Sequence, residues 1–468
     1  MRAQGLFGRI CIGLLATLVA TATTAQQQAP DAVGTVPRSG FYAKDIERLQ
    51  GQVRDTEVSR GPDHPDLAGA LSALGAVYVQ QGLYADAAPL LVRALAIYEK
   101  SFAPEHPSVA TALNNLARIR KELAQYREAE TLYLRALAAY EKAYGPEHTA
   151  VVSALLNLAA LYEQMGQYDR AEAIYRQAIS IAEKTDGPAS LKLAVLLSRL
   201  GSLLDRKGQY AAVEALYLRA LDIRLKTLEP DHPVVADSWN NLAMFYYAQG
   251  QYRRAETLYR QALDIRERAL GPDHPTVASN LYNLGALYYT QGQFETAEAL
   301  YARALAIREK TYGPVHPSVA LVLNALGGVY RRGGRPEDSE RAYLRAQEIY
   351  VQLSGPDHPD VASILNNLAL LEVAQGEYLK AETHAQQALA NREKVFGPEY
   401  PGLAPVLGTL ASAYVAQGRR ELAQPLYLRA LALRQASLPA DHPSIAISMN
   451  AVARSLQAQG DYTQALSY

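Results

Sequence analysis

A histidine follows an acidic residue at Asp63-His64, Glu105-His106, Glu147-His148, Asp231-His232, Asp273-His274, Asp357-His358 and Asp441-His442, and Val315-His316 keeps the same place. These are eight of the nine histidines. Two chemistries use such pairs: a metal held by imidazole and carboxylate, and proton transfer through a His–acid couple. The spacing argues against both. The motif recurs in steps of 42 residues, so neighbouring histidines occupy equivalent points on stacked elements, at least one interhelical distance of about 8–10 Å apart. A shared ion would need two ring nitrogens at about 2.0–2.1 Å from it. One histidine with one acid is a poor site, so no metal is expected.

Catalytic motifs are missing as well. The sequence holds no GxSxG, no HExxH and no GxxxxGK[ST]. Recurring acid–lysine neighbours such as Glu99-Lys100 and Glu309-Lys310 read as solvated helix surface. No enzyme activity and no cofactor are expected. The motif reads instead as a start signal. A residue before proline is biased away from helical geometry, proline is best tolerated at the first helical position, and a nearby acid suits the helix dipole.

The elements that position these residues are repeats. The motif starts at 61, 103, 145, 187, 229, 271, 313, 355, 397 and 439, always 42 apart. The copy at 187, "GPASL", has lost its acid and histidine but keeps the beat. A fixed period of 20–50 residues signals stacked supersecondary units. In residues 271–312, Val277, Ala278, Leu281, Leu284, Gly285, Leu287 and Tyr288 fall at helical spacing. A break follows at Gly292. A second helix then carries Phe294, Ala297, Leu300, Tyr301, Ala304, Leu305 and Ile307. Alanine recurs at Ala94, Ala136, Ala178, Ala220, Ala262 and Ala304, and tyrosine at Tyr133, Tyr175, Tyr217, Tyr259, Tyr301, Tyr343 and Tyr427. Small against large at fixed offsets lets consecutive helices interlock. The 31 tyrosines are therefore packing residues, not a cofactor box. The fourth unit, with Ser190 for histidine, and the seventh, with Gly333-Gly334 and Pro336, depart from the pattern; drift is the expected reason, and a bend of the superhelix through weakened packing is the alternative.

The pattern "LNNLA…LY..QG.Y..AE.LY.RAL.IREK…GPDHP" resembles the tetratricopeptide repeat, in its 42-residue kinesin-light-chain subtype, over residues 61–468. With the N-terminal features below, the chain looks like an exported bacterial type. The resemblance implies an all-α fold, a right-handed superhelical solenoid of about ten helix-turn-helix units. It also implies a concave face lined by first helices that binds a protein or peptide. Asparagine, a mediocre helix former, recurs midway along those helices. By resemblance Asn114, Asn240, Asn324 and Asn366 face the groove, where an amide can both donate to and accept from peptide backbone. Asn115, Asn157, Asn241, Asn283 and Asn367 occupy the adjoining consensus position. Hydrogen bonding between neighbouring helices is the competing role for both sets. Arg118, Lys121, Arg199, Arg206, Arg331 and Arg332 add positive charge for an acidic ligand. A kinesin partner role does not transfer, because the heptad coiled coil is lacking.

Residues 1–25 read as an export signal: Arg2 and Arg9, then "ICIGLLATLVA", then "TATTA". Cleavage is expected after Ala22 or Ala25, and the competing role is an N-terminal membrane anchor. Cys11, the sole cysteine, lies inside this segment, so the mature chain would carry no disulfide. The expected location is periplasmic or extracellular. Residues 26–40 read as a disordered leader and 41–60 as a capping helix; the array fills 61–468, its last unit incomplete. With 46 basic and 47 acidic residues, no nucleic-acid footprint is present. The expected function is a non-catalytic interaction scaffold binding an extended peptide or partner surface. The alternatives are a recognition arm whose catalytic domain lies beyond residue 468, as in repeat-plus-protease architectures, and a self-associating structural spacer.

Overall fold

A computed structural model describes residues 40–80, 84–123, 125–437 and 443–468. The export segment, Cys11, nearly all of the expected leader and His442 lie outside these residues. Among the described residues every regular element is a helix, and they form two compact bodies divided between Pro272 and Asp273.

The first body opens with a helix at Gly40–Arg60 and continues as five helix pairs. These are Pro65–Gln80 with Tyr84–Ser101, Pro107–Glu122 with Tyr126–Tyr144, Thr149–Gln164 with Tyr168–Thr185, Leu191–Arg206 with Tyr210–Thr227, and Pro233–Ala248 with Tyr252–Leu270. The second body holds five more: Pro275–Thr290 with Phe294–Tyr312, Pro317–Arg332 with Pro336–Ser354, Pro359–Gln375 with Tyr378–Phe396, Ala404–Ala416 with Arg420–Ser437, and Pro443–Ala458 with the short Tyr462–Ala465. The helix Gly40–Arg60 lays Val53 against Leu67, Ala68 and Leu71 of the first repeat.

Helix pairing follows from the repeated small and large positions. Tyr133, Tyr175, Tyr217, Tyr259, Tyr301 and Tyr343 are all buried, and so are the alanines of the "RAL" series from Ala94 to Ala430. In the seventh repeat the Tyr343 ring packs so closely on Gly327 that a Cβ there would lie 2.5 Å from a ring carbon. Within the sixth repeat the two helices are joined at Gly292, whose φ of 77° is strained for any side chain-bearing residue.

The histidine motif caps helices. Nδ1 of His64, His106, His148, His232, His274, His316 and His358 accepts the backbone N–H two residues on, at 3.1–3.3 Å. This satisfies one of the orphan donors at a helix start. Ser190 does the same through Oγ, accepting from Lys192 N at 3.2 Å. Serine, a favoured capping residue, thus preserves the cap in the fourth repeat although the histidine is gone. Tyr400 makes no side-chain cap, and there the first helix is preceded by a 3-10 turn, Pro401–Leu403. The rings also stack on the preceding helix end: Phe102 on His106 with centroids 4.0 Å apart, and Tyr144 on His148 and Tyr312 on His316 at 4.4 Å.

The motif acids have partners too. Glu105 pairs with Lys142 at 2.9 Å, Glu147 with Lys184 at 2.5 Å and Asp273 with Lys310 at 2.6 Å. Glu99 and Glu309, on the partly solvated helix surface, reach Arg135 and Arg345 of the following repeat at 2.5–2.6 Å, and Glu183 and Glu393 reach Arg219 and Arg429 in the same way at 2.6 Å. Exposed pairs of this kind contribute about 0.2–1 kcal/mol each.

Candidate functional site

The asparagine positions lie midway along successive first helices. In the first body Asn157 Nδ2 donates to Asn114 Oδ1 at 3.0 Å; in the second, Asn367 Nδ2 donates to Asn324 Oδ1 at 2.8 Å. Each bond joins the consensus asparagine of one repeat to the groove-position asparagine of the repeat before. The two sets read from the sequence as separate rows are therefore coupled in these places. An amide offers two donor hydrogens and an acceptor oxygen, so each pair leaves donor capacity on Asn114 or Asn324 and acceptor capacity on Asn157 or Asn367.

The remaining positions differ in depth. Asn115, Asn240 and Asn241 are half-buried on their first helices, and Asn240 Nδ2 lies 3.4 Å from Met244 Sδ. Asn283 and Asn367 are buried. Asn366 was expected on the open face with Asn114, Asn240 and Asn324, yet it is 3% exposed, because residues 364–369 of its helix are all covered. Its Oδ1 finds no hydrogen-bond partner among the described residues.

The expected positive groove is only partly present. Arg118, Arg199 and Arg332 are exposed. Lys121 is paired with Glu122 at 3.1 Å and Arg206 with Glu163 at 3.1 Å. Glu163, 7% exposed, also accepts from the Tyr175 hydroxyl. Beside it, burial pushes the Asp205 carboxyl up to about 6, against a smaller opposing pull from Arg206. The first-helix ends of the third and fourth repeats are thus charge-balanced. No group of three or more His, Cys, Asp and Glu side chains is gathered for a metal among the described residues.

A set of residues not singled out from the sequence carries the deepest charge. Arg224, Arg266, Arg308 and Arg434 sit at one repeat position and are all buried. Arg308 donates to Ser318 O at 2.8 Å and Arg434 to Ser444 O at 3.1 Å, while Arg266 meets Asp237. The recurring "IRE" and "LR" steps were the available signal, masked because arginine on an amphipathic helix normally reads as surface.

In the second body these features converge on a cleft of 380 Å³. Arg331 and Arg332 come from the seventh repeat, Asn366 and Leu370 from the eighth, and Gly408 and Tyr427 from the ninth. Arg434 reaches it from a second helix, and Ile447, Asn450 and Arg454 from the tenth repeat.

A tetratricopeptide-repeat family model matches ten overlapping stretches, beginning with residues 40–100 and 66–142 and ending with 402–468. Among solved structures, RapI in its apo form is similar with a TM-score of 0.53 at 13% identity, over 79% of this chain and 98% of that one. A Podosopora anserina putative kinesin light chain with nearly identical TPR-like repeats gives 26% identity over 53% of this chain and 98% of its own, TM-score 0.31. BtubC (BKLC) from P. vanneervenii gives 22% identity over 58% and 91%, TM-score 0.32. Among curated proteins none matches. Ten family matches in one register, laid over consecutive helix pairs along the chain, place it in the tetratricopeptide repeat family.

Proposed function

We propose that this chain is a non-catalytic scaffold that binds extended protein segments along the first-helix faces of its two bodies. The observation that carries this reading is the amide pairing of Asn114 with Asn157 and of Asn324 with Asn367. Each pair fixes two side chains midway along successive first helices and leaves N–H donors and a carbonyl acceptor uncommitted, which suits a peptide backbone of any sequence. Extended segments are the natural ligands of a stacked-helix face, since the binding surface grows with repeat number.

The test replaces Asn114 and Asn324 together by alanine and compares the proteins retained by variant and parent chain. Loss of partners at unchanged helix content supports the reading; an identical partner set refutes the amide role. We further propose export to the periplasm or outside the cell, on the strength of residues 1–25. Mass analysis of the chain from the exported fraction should find a start at Thr23 or Gln26, and an intact Met1 in the cytoplasm would overturn it.

A further inference from the structure

The cleft in the second body is unbalanced in charge. Four guanidinium groups line it, from Arg331, Arg332, Arg434 and Arg454, and no carboxylate does. Among the described residues no acid lies within ion-pair distance of Arg332, Arg434 or Arg454. Arg434 is the telling one. It is 6% exposed, and its hydrogen bonds go to Ser444 O and Ser448 Oγ, both neutral. Buried charges are ordinarily paired, and burial alone pulls the Arg434 pKa down. Of its equivalents, Arg266 has its acid in Asp237, whereas Arg224 and Arg308 bond neutral oxygens of Ser238 and Ser318 as Arg434 does; what sets Arg434 apart is the open cleft it lines.

The cleft is also opened where the repeat pattern would fill it. Gly408 stands at the groove-asparagine position, one period after Asn366. It is in mid-helix, where glycine is about 1 kcal/mol worse than alanine, yet a Cβ there would meet nothing within 4 Å. Close packing therefore does not require it, unlike Gly201, Gly285 and Gly327, each of which faces a tyrosine ring. Tyr427 reports the same opening: six tyrosines at its repeat position are buried, and it is only half-buried. Leu370, Pro405 and Ile447 supply an apolar lining between the arginines.

We propose that this cleft is a binding site for a small organic acid, a carboxylate carried on an apolar body. The carboxylate supplies the counter-charge that Arg434 lacks among the described residues, with Arg332 and Arg454 at the rim, and guanidinium–carboxylate geometry favours this pairing. The apolar body covers Leu370, Pro405, Ile447 and the Tyr427 ring. The cleft is lined by second-helix residues Tyr427 and Arg434 as well as by first-helix residues such as Asn366 and Gly408. Its volume is in the range of small-molecule sites, about 300–1,000 Å³. The site goes beyond the scaffold role and does not depend on it.

The test is calorimetric titration of the full chain with N-acetylphenylalanine and, separately, with its neutral amide. The acid should bind at least tenfold more tightly than the amide, and the preference should shrink as salt rises. Arg332→Gln with Arg454→Gln should weaken the acid at least tenfold. Gly408→Leu should abolish binding while leaving the melting temperature unchanged or higher, so that loss of folding cannot mimic loss of the site. Equal binding of acid and amide, or no binding of the acid at millimolar concentration, overturns the proposal. So does undiminished binding to Gly408→Leu. Displacement of the acid by an equal concentration of inorganic phosphate would overturn recognition of the apolar body.

Discussion

Replacing His148 by alanine removes two separable contacts. Its Nδ1 accepts from Ala150 N at 3.1 Å, and its ring stacks on Tyr144 with centroids 4.4 Å apart and planes 15° from parallel. Loss of an N-cap costs about 0.5–2 kcal/mol, and an aromatic pair contributes about 0.5–1.5 kcal/mol beyond its area. His148→Ala should therefore cost about 2 kcal/mol at the start of the helix Thr149–Gln164. His148→Ser keeps an acceptor, as Ser190 shows in the next repeat, and should cost about 1 kcal/mol. His148→Phe keeps the ring, loses the cap and should cost a similar amount. Because stacked repeats open locally as well as globally, the informative assay is amide hydrogen exchange at Ala150. Its opening should be favoured about thirtyfold in the alanine variant, the equivalent of about 2 kcal/mol, and about fivefold in the phenylalanine and serine variants, the equivalent of about 1 kcal/mol. If alanine leaves Ala150 protected, or serine exposes it as fully as alanine does, the capping account is wrong.

Three other measurements bear on the same structure. Burial raises the Asp205 carboxyl to about 6, so the folded chain holds that proton more tightly than the unfolded one. Stability is then lost as pH rises from about 4 to about 6, by up to about 3 kcal/mol at about 1.36 kcal/mol per unit. Asp205→Asn should match the parent near pH 4 and exceed it at pH 7 in denaturant titrations, and parallel pH profiles would refute this. A double-mutant cycle on Asn324→Ala and Asn367→Ala should give a coupling of about 1 kcal/mol for their 2.8 Å bond, whereas additive losses would mean the bond contributes nothing. Gly327→Ala should destabilise by about 1 kcal/mol, since overpacking against Tyr343 outweighs the helix-propensity gain. Gly408→Ala, with open space at its Cβ, should stabilise by up to about 1 kcal/mol. Melting shifts of the same sign for both would break the argument from Cβ room.

The register was legible without coordinates because it is one-dimensional. A 42-residue period, the Pro-marked helix starts and the alternation of alanine and tyrosine are all local facts, and a repeat contacts chiefly its neighbours. The helix pairs, the buried tyrosines and the structural reading of His64 through His358 follow from that periodicity alone. Other properties depend on which atoms meet across repeats, about 36 to 43 residues apart, and no local pattern specifies that. Histidine as an N-cap acceptor, and Ser190 as its replacement, needed the backbone at the helix start. The amide pairs needed the stagger between adjacent first helices. Arg206 reads as groove charge by sequence but meets Glu163, and Arg434 reads as surface but is buried with no acid against it among the described residues. The chain's sequence by itself determined that it stacks; only the tertiary structure decided where charge is cancelled and where it is left over, because Coulomb energy depends on distance and burial rather than on order along the chain.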